Sequence, residues 1–458
     1  MESAITRHHS ETSSLVSWSS AVIVVKMVRR ETLQTFLMLC LCLANIDAAP
    51  MDVQRRADGS VLIADILYSA EQWDRFLDKN LLAMERLWPK KDGVVNIFYK
   101  ISDPGVDTTA LNSAIAAWEA KTCIKFSKMA ESDERVDYMN FWLNKFCYAT
   151  IGYWEGKPTP VSLADCPERG PTHEIGHALG MVHEQSRSDR DDNIIVYMAN
   201  IKPAMKHNYD KGPTINFEVP YDYYSLMQYH DRSFGIDGKR VMVAKDVRFQ
   251  TLMGDGDKIA HWNAKLMNTM YKCTDDWLKA CKQESEPCKN GGYTQKDCSC
   301  ACPLGTTGDK CENLVMSYRD ALIKQFSPYT SVISTSGAEV VSPGYPDKAP
   351  STKTQYTQVF RAEKCQRAVV TFQDFQIEPR SASKNRCGFS YLEIRSDVSV
   401  PEGKIFCGEE IEKGTAFKSD KSELILHYMN NDYTKFGKEN KYRGYKATFT
   451  TEAIPTCS

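Results

Sequence analysis

The chain has almost no net charge. Its 57 lysines and arginines stand against 59 aspartates and glutamates, a balance of −2 over 458 residues. That leaves no electrostatic case for nucleic acid or an anionic membrane surface, and pairs such as Arg55-Arg56 and Lys90-Lys91 are too short to make one. Long apolar runs are also missing. The two candidates, Ser14–Val25 and Leu33–Ala44, both fall short of the roughly 20 residues a membrane helix needs, so no stable membrane insertion is expected. The second follows Arg29-Arg30 and precedes Ala48-Ala49, the layout of a secretory signal region. Met27 makes a conventional start for it, which leaves residues 1–26 as an upstream extension or a gene-model error. Ser14–Val25 as part of a signal anchor is the alternative; its Ser and Trp interruptions and Lys26 weigh against that. No Asn-x-Ser/Thr sequon occurs, which is neutral.

What is present is length and cysteine. A chain of 458 residues is too long for one ordinary core, so several domains are expected. Of 16 cysteines, Cys40 and Cys42 lie in the signal region, and the remaining even number suits an oxidised extracellular protein. Val94–Tyr99 reads as a strand from its β-branched and aromatic residues. Leu111–Lys121 reads as an amphipathic helix with Leu111, Ile115 and Trp118 on one face.

Histidine is scarce, with nine in the chain, yet three fall in the run His173-Glu174-Ile175-Gly176-His177-Ala178-Leu179-Gly180-Met181-Val182-His183-Glu184. On a helix, His173 and His177 lie one turn apart and offset by about 40°, so both rings can reach one ion. A continuing helix would carry His183 away from them. Gly180 tolerates the left-handed backbone that ends a helix and turns the chain back. Three imidazole nitrogens with an open fourth position make a catalytic zinc layout, and Glu174 is placed to take a proton from water there. A lone His-Glu-x-x-His would carry little weight; Gly180 and His183 at their offsets change that.

These twelve residues resemble the metzincin zinc signature, and Glu184 directly after the third histidine is similar to the astacin branch. Arg187-Ser188-Asp189-Arg190-Asp191 resembles the Arg-x-Asp-Arg-Asp that follows in astacins, and Ser225-Leu226-Met227-Gln228-Tyr229 the family's Met-turn, usually Ser-x-Met-His-Tyr. The resemblance implies one Zn²⁺ held by His173, His177 and His183, with Glu174 as general base. Tyr229 would be a switchable ligand and oxyanion stabiliser, Met227 the apolar floor, and Glu184 the acceptor of the mature N-terminus. Gln228 in place of histidine is expected to matter little. Gly170-Pro171-Thr172 departs from the usual Gly-Thr-(Ile/Val)-x: it is one residue shorter and carries a proline, so the helix is expected to start near Thr172. The same departure is the reason to consider an inactive relative.

The resemblance extends outward. Leu62-Ile63-Ala64-Asp65-Ile66 is similar to the Phe-x-Gly-Asp of astacin propeptides, which makes Asp65 the candidate latency ligand; an ordinary surface aspartate is the bland alternative. Tyr68–Leu82 carries helix-forming residues, and cleavage after Lys79 by a trypsin-like protease would start the mature chain at Asn80. Cys302-Pro303-Leu304-Gly305 to Cys311-Glu312 resembles the end of an EGF-like module. A zinc knuckle is disfavoured there by the absence of histidine. Ser342-Pro343-Gly344-Tyr345-Pro346, Tyr391-Leu392-Glu393-Ile394 and Phe406-Cys407-Gly408 resemble a CUB domain. Ser390 stands where calcium-binding members have aspartate, so no such calcium site is expected.

The implied fold is an α+β zincin (metzincin) catalytic domain, a small disulfide-rich EGF-like module and an all-β CUB sandwich. Its divisions are a signal region over 1–48, a propeptide over 49–79, then domains over 80–273, 281–312 and 330–457. The implied disulfides are Cys123–Cys273, Cys147–Cys166, Cys281–Cys298, Cys288–Cys300, Cys302–Cys311, Cys387–Cys407 and Cys365–Cys457. The implied function is a secreted, latent zinc endopeptidase, an astacin-type metalloprotease acting on extracellular proteins such as matrix or collagen-like substrates. The competing classes are a catalytically silent binding protein using its EGF-like and CUB modules, and a metal hydrolase of non-peptide substrates. Retention of Glu174 argues against the first, and the astacin match beyond the zinc helix against the second.

Overall fold

The computed structural model describes residues 54–458, except 64, 71, 73–85, 213, 382, 384, 456 and 458. The signal region over 1–48, with Met27, Cys40 and Cys42, most of the helix-forming stretch (residues 71 and 73–82) and the Lys79-Asn80 boundary lie outside the described residues.

One sheet organises the first half of the chain. Its strands are β1 (Gln54–Arg55), β2 (Val61–Ile63), β3 (Ile66–Tyr68), β4 (Val95–Ile101), β5 (Ile124–Lys128), β6 (Met139–Trp142), β7 (Cys147–Thr150) and β8 (Thr159–Leu163), in spatial order β1-β2-β3-β7-β8-β6-β4-β5. In β4, Val95, Ile97 and Tyr99 alternate inward, so one face packs on the core while the other meets solvent. Helix α1 (Thr108–Lys121) starts where the Asp107 carboxylate accepts from the amides of Thr109 and Ala110. Leu111, Ala114, Ile115 and Trp118 form its buried face. Enclosing side chains of this size contributes roughly 1.5–3 kcal/mol each for the larger ones. The Trp118 indole also donates to Thr172 O at 3.0 Å, tying α1 to α2 (Gly170–Ala178).

Helix α2 begins earlier than the sequence suggested. Arg169, not Thr172, is its N-cap residue, and Pro171 occupies the first turn, where its missing N–H leaves no orphan donor. Gly170 is required at the start because a Cβ there would meet the Cys166 Cβ at 2.6 Å. The helix ends at Ala178, and Gly180 has φ +102°, the turn that brings His183 back.

From His183 to Cys273 the chain forms a less regular lower lobe, mostly short 3₁₀ turns and one small ladder of β9 (Ile194–Val196) with β10 (Met242–Ala244). Helices α3 (His261–Met270) and α4 (Cys273–Ala280) close it, and Cys273 bonds Cys123. Two hairpins follow, β11 (Tyr293–Thr294) with β12 (Cys300–Ala301) and β13 (Thr306–Thr307) with β14 (Asn313–Leu314). Disulfides Cys281–Cys298, Cys288–Cys300 and Cys302–Cys311 staple this segment, which is too short to hold a core alone. Helix α5 (Tyr318–Phe326), which the sequence reading did not anticipate, buries Leu322 and Ile323 in the lower-lobe core.

The remaining strands form a sandwich. A five-stranded sheet runs β15 (Ser331–Ile333), β17 (Thr354–Arg361), β22 (Glu423–Asn430), β19 (Ser390–Arg395), β20 (Lys404–Phe406). A four-stranded sheet runs β16 (Glu339–Val341), β23 (Gly444–Ala453), β18 (Gln366–Gln376), β21 (Ala416–Lys418). Their inner faces share a core that includes Tyr356, Phe372, Leu426 and Phe449, and Cys365–Cys457 and Cys387–Cys407 close the domain. Among the described residues no helix is long and apolar enough to cross a membrane.

Candidate metal centre

Helix α2 and the turn after it bring three imidazoles together. The Nε2 atoms of His173 and His177 are 3.0 Å apart, and those of His177 and His183 3.2 Å. Each of the first two rings is aimed by its other nitrogen: His173 Nδ1 faces Leu226 O at 2.9 Å, and His177 Nδ1 faces Met181 O at 2.7 Å. Donating there leaves the Nε2 lone pairs facing inward, the tautomer a metal requires. A tetrahedral zinc with bonds near 2.0–2.1 Å separates its nitrogens by about 3.3–3.4 Å, so the cluster fits one ion with little adjustment. Three such nitrogens with Asp65 close by make a group that could hold a metal ion.

Asp65 fills the fourth side. Its carboxylate lies 3.1 Å from His183 Nε2 and 3.4 Å from His173 Nε2, and it accepts from the Tyr229 hydroxyl at 3.2 Å. Burial works against its charge, but His183 and hydrogen bonds from both histidines hold its carboxyl well below the usual range. The backbone explains its position. Strand β3 pairs in parallel with β7, Ile66 opposite Ala149, and Asp65 O accepts from Ala149 N at 2.8 Å. The β2–β3 hairpin is thus at the edge of the main sheet, with Asp65 at its turn beside the three histidines.

Glu174 is buried beside His173 on the same turn, with Oε1 3.1 Å from Cys147 Sγ and Oε2 without a partner. Burial first, then the neighbouring Asp65 charge, push its carboxyl well above the ordinary value. Tyr229 packs its ring 4.3 Å from that of His183, and burial followed by Asp65 raises its phenol strongly. Met227 lies fully enclosed beneath α2; a Cβ on Gly176 would sit 3.1 Å from its sulfur and 3.3 Å from the Trp118 ring, so a larger residue there would have to push both back by a few tenths of an ångström.

Glu184 is held from several sides. Its amide donates to Met227 O at 2.9 Å, and its carboxylate accepts from Arg187 Nη1 at 3.2 Å and Asp222 N at 2.9 Å. Burial pushes its carboxyl up to about 7, against the pull of Arg187. The Arg187–Asp191 segment accounts for this order: Arg187 also forks onto Asp189 at 2.8 and 2.9 Å, and Arg190 caps the carbonyls of Gln185 and Tyr209, both at 2.8 Å.

Two supporting residues, Asn263 and Gln185, escaped the sequence reading, and a third, Gln228, was given little weight there. Asn263 on α3 accepts from Leu226 N at 3.0 Å and donates to Ser225 Oγ at 2.7 Å, fixing the turn whose Leu226 carbonyl orients His173. Gln185 accepts from Tyr229 N at 3.2 Å. Gln228, expected to matter little, is fully buried, accepting from the Tyr221 hydroxyl and donating to Tyr229 O at 3.1 Å. Nothing in the local sequence ties Asn263 to a turn 38 residues away.

Residues 81–272 match the family model described as Astacin, a peptidase family. This segment is an astacin domain. The chain is 29% identical over 382 residues to Blastula protease 10 of Paracentrotus lividus, covering 80% of this chain and 60% of that protein. It is 31% identical over 352 residues to Zinc metalloproteinase nas-36 of Brugia malayi, covering 75% and 57%. The chain therefore spans a little over half the length of these curated relatives. A solved structure, High choriolytic enzyme 1 of Oryzias latipes, a hatching enzyme zinc-protease, is 29% identical, with a TM-score of 0.39, covering 42% of this chain and 98% of that one. All three histidines, Glu174 and the Met-turn lie inside the astacin domain; Asp65 lies outside it.

Proposed function

We propose that this protein is a secreted zinc-dependent endopeptidase, made as a latent proenzyme and cleaving peptide bonds of extracellular proteins. One observation carries the reading: three inward-facing imidazole nitrogens in an astacin domain, with the Asp65 carboxylate on the fourth side. A zinc ion held by His173, His177 and His183 supplies Lewis acidity that brings the pKa of water toward ~7 and polarises the scissile carbonyl. Glu174 takes the proton at its carboxylate and returns it to the leaving amine. The Tyr229 hydroxyl, freed from Asp65, donates to the oxyanion. Met227 and the buried ring faces around it keep water from the underside of the centre.

Latency follows from the same arrangement. Asp65 occupies the side that water and substrate need, and it engages Tyr229 as well. Cleavage after Lys79 by a trypsin-like protease would let the hairpin leave. Glu184 would then be the carboxylate for a new N-terminus at Asn80. The stapled segment over 281–312 is read as an EGF-like module and the sandwich over 330–457 as a CUB domain, and matrix or collagen-like proteins are the substrate class proposed. The shortened segment before α2 lends the inactive-relative reading no support, because Pro171 fits the first turn and the histidines keep their spacing.

The test is peptide hydrolysis by protein processed near Asn80, beside Glu174→Gln. Chelator-sensitive cleavage is expected, with a loss of about 10²–10⁴-fold in the variant at unchanged zinc content. Full activity of Glu174→Gln would remove the general-base role, and no cleavage by zinc-loaded wild type would remove the function.

A further inference from the structure

The loop from Asp231 to Arg240 begins two residues after Tyr229 and is gripped at both ends by the sandwich. At its far end Arg240 forks onto Glu393 of β19, Nη1 to Oε1 at 2.6 Å and Nη2 to Oε2 at 2.7 Å. Both side chains are enclosed, at 4% and 0% exposure. Arg240 also donates from Nη1 to Pro401 O at 2.6 Å and from its amide to Glu402. At the near end Arg232 Nη1 reaches both Glu402 oxygens at 3.3 Å.

The loop is also closed on itself. Arg240 Nε donates to Asp231 Oδ2 at 2.6 Å, and Asp231 O accepts from the amides of Val241 and Met242 at 2.8 and 3.1 Å. Between these ends Phe234 lies 5.6 Å, ring to ring, from Tyr229. Beside the polar grip, Val247 packs with Val359 and Ile425 of the sandwich.

The placement of Glu393 carries the argument. It is an enclosed charge in the middle of a sheet strand, and Arg240 is the cation that bonds both of its oxygens, with Gly403 N donating to Oε1 at 2.8 Å and Arg232 Nη2 farther off at 3.9 Å. The sandwich face that carries it is shaped for Arg240, and Arg240 belongs to the segment that follows the Tyr229 hydroxyl. We propose that Glu393 and Glu402 are positioning residues for Tyr229, acting through the Asp231–Arg240 loop and Phe234, so that the cleft is complete only with the sandwich docked. This rests on the endopeptidase reading of the cleft.

The experiment uses the full chain, processed near Asn80, as wild type, Glu393→Gln, Glu402→Gln and the remote surface control Lys348→Ala. Three readouts are taken: hydrogen exchange of the amides over 229–242, kcat and KM on a short peptide that reaches only the cleft, and zinc content. In both glutamate variants the amides of Val241 and Met242 should exchange faster. kcat should fall about tenfold, as expected for a displaced transition-state donor, while KM and zinc content stay near wild type. Lys348→Ala should match wild type in all three. Unchanged exchange, or faster exchange with unchanged kcat, overturns the proposal, as does a loss explained by missing zinc. If Glu393→Gln fails to fold, Glu402→Gln, with its partly exposed carboxylate, decides alone. If wild type cleaves nothing, the endopeptidase reading falls by itself, and unchanged exchange in the variants would still overturn the grip on the loop.

Discussion

Asn263 shows how far the metal centre depends on side chains that never approach the metal. Its amide group satisfies Leu226 N, Ala260 N and Ser225 Oγ in a buried setting. Asn263→Ala leaves the buried Leu226 N without its acceptor, which costs about 1–3 kcal/mol. Because Leu226 O aims His173, zinc affinity should fall about 10–100-fold as well. Thermal unfolding and a competitive chelator titration check the two parts separately. His261 offers a pH test. Burial, assisted by Lys265 and Lys121 and opposed by its bond to Gly291 O, pushes its imidazole down to about 4. Its unfolded value is near 6.5, so between those values the unfolded chain binds a proton that the folded chain does not. Stability should therefore be lost as pH falls from about 6.5 toward 4, and His261→Gln should flatten that slope in denaturant titrations at several pH values. A variant as pH-sensitive as wild type would assign the effect elsewhere.

Among the elements, the β2–β3 hairpin has two attachments. It adds a parallel strand to the edge of β7, and both its faces are used: Val61, Ile66 and Tyr68 pack with Ile151, and Leu62 and Leu67 with Tyr148 and Trp154. Strand addition of this kind gives affinity through the backbone and specificity through alternate side chains. A peptide of residues 54–72 should inhibit the processed enzyme, and the Asp65→Ala peptide should bind at least about tenfold more weakly, since a charged hydrogen-bonded group is lost. Equal inhibition constants would mean that strand pairing alone does the holding. The elements were unevenly legible in the sequence. Strand β4, helix α1 and the turn at Gly180 follow from periodicity and glycine chemistry, which act over a few residues. The start of α2 was misplaced because Pro171 reads equally well as a boundary or as a first-turn residue. What settles it is the close approach of Gly170 to the Cys147–Cys166 bridge, a contact local pattern does not encode. Helix α5 was missed because its buried face is satisfied only by the lower lobe.

For the molecule as a whole, the decisive contacts lie far apart in sequence. Arg240 and Glu393 are separated by 153 residues, and no spacing rule connects them. Arg240→Ala removes both short ion-pair bonds from the enclosed Glu393 carboxylate, leaving Gly403 N and the more distant Arg232, and should destabilise the chain by up to about 3–5 kcal/mol. Lys421→Ala, which removes a surface partner of Asp397, should leave the midpoint unchanged. Denaturation of both variants in the full chain checks the contrast, and a similar midpoint for the two would show that solvent reaches Glu393. The charge balance and cysteine content had pointed to an oxidised, multidomain chain, but how its parts meet was not written in composition.

The seven disulfides among the described residues are also arranged in an order. Cys123–Cys273 and Cys147–Cys166 are complete before Cys281 is reached, the three pairs over 281–311 before Cys365, and the last two fall between 365 and 457. Among the described residues no bridge spans two of these groups. As the chain leaves the ribosome, each set of thiols can therefore be oxidised to completion before the next emerges. The parts mature one after another, like carriages coupled only by main chain, and the last to arrive, carrying Glu393, meets a lower lobe whose bridges are already closed.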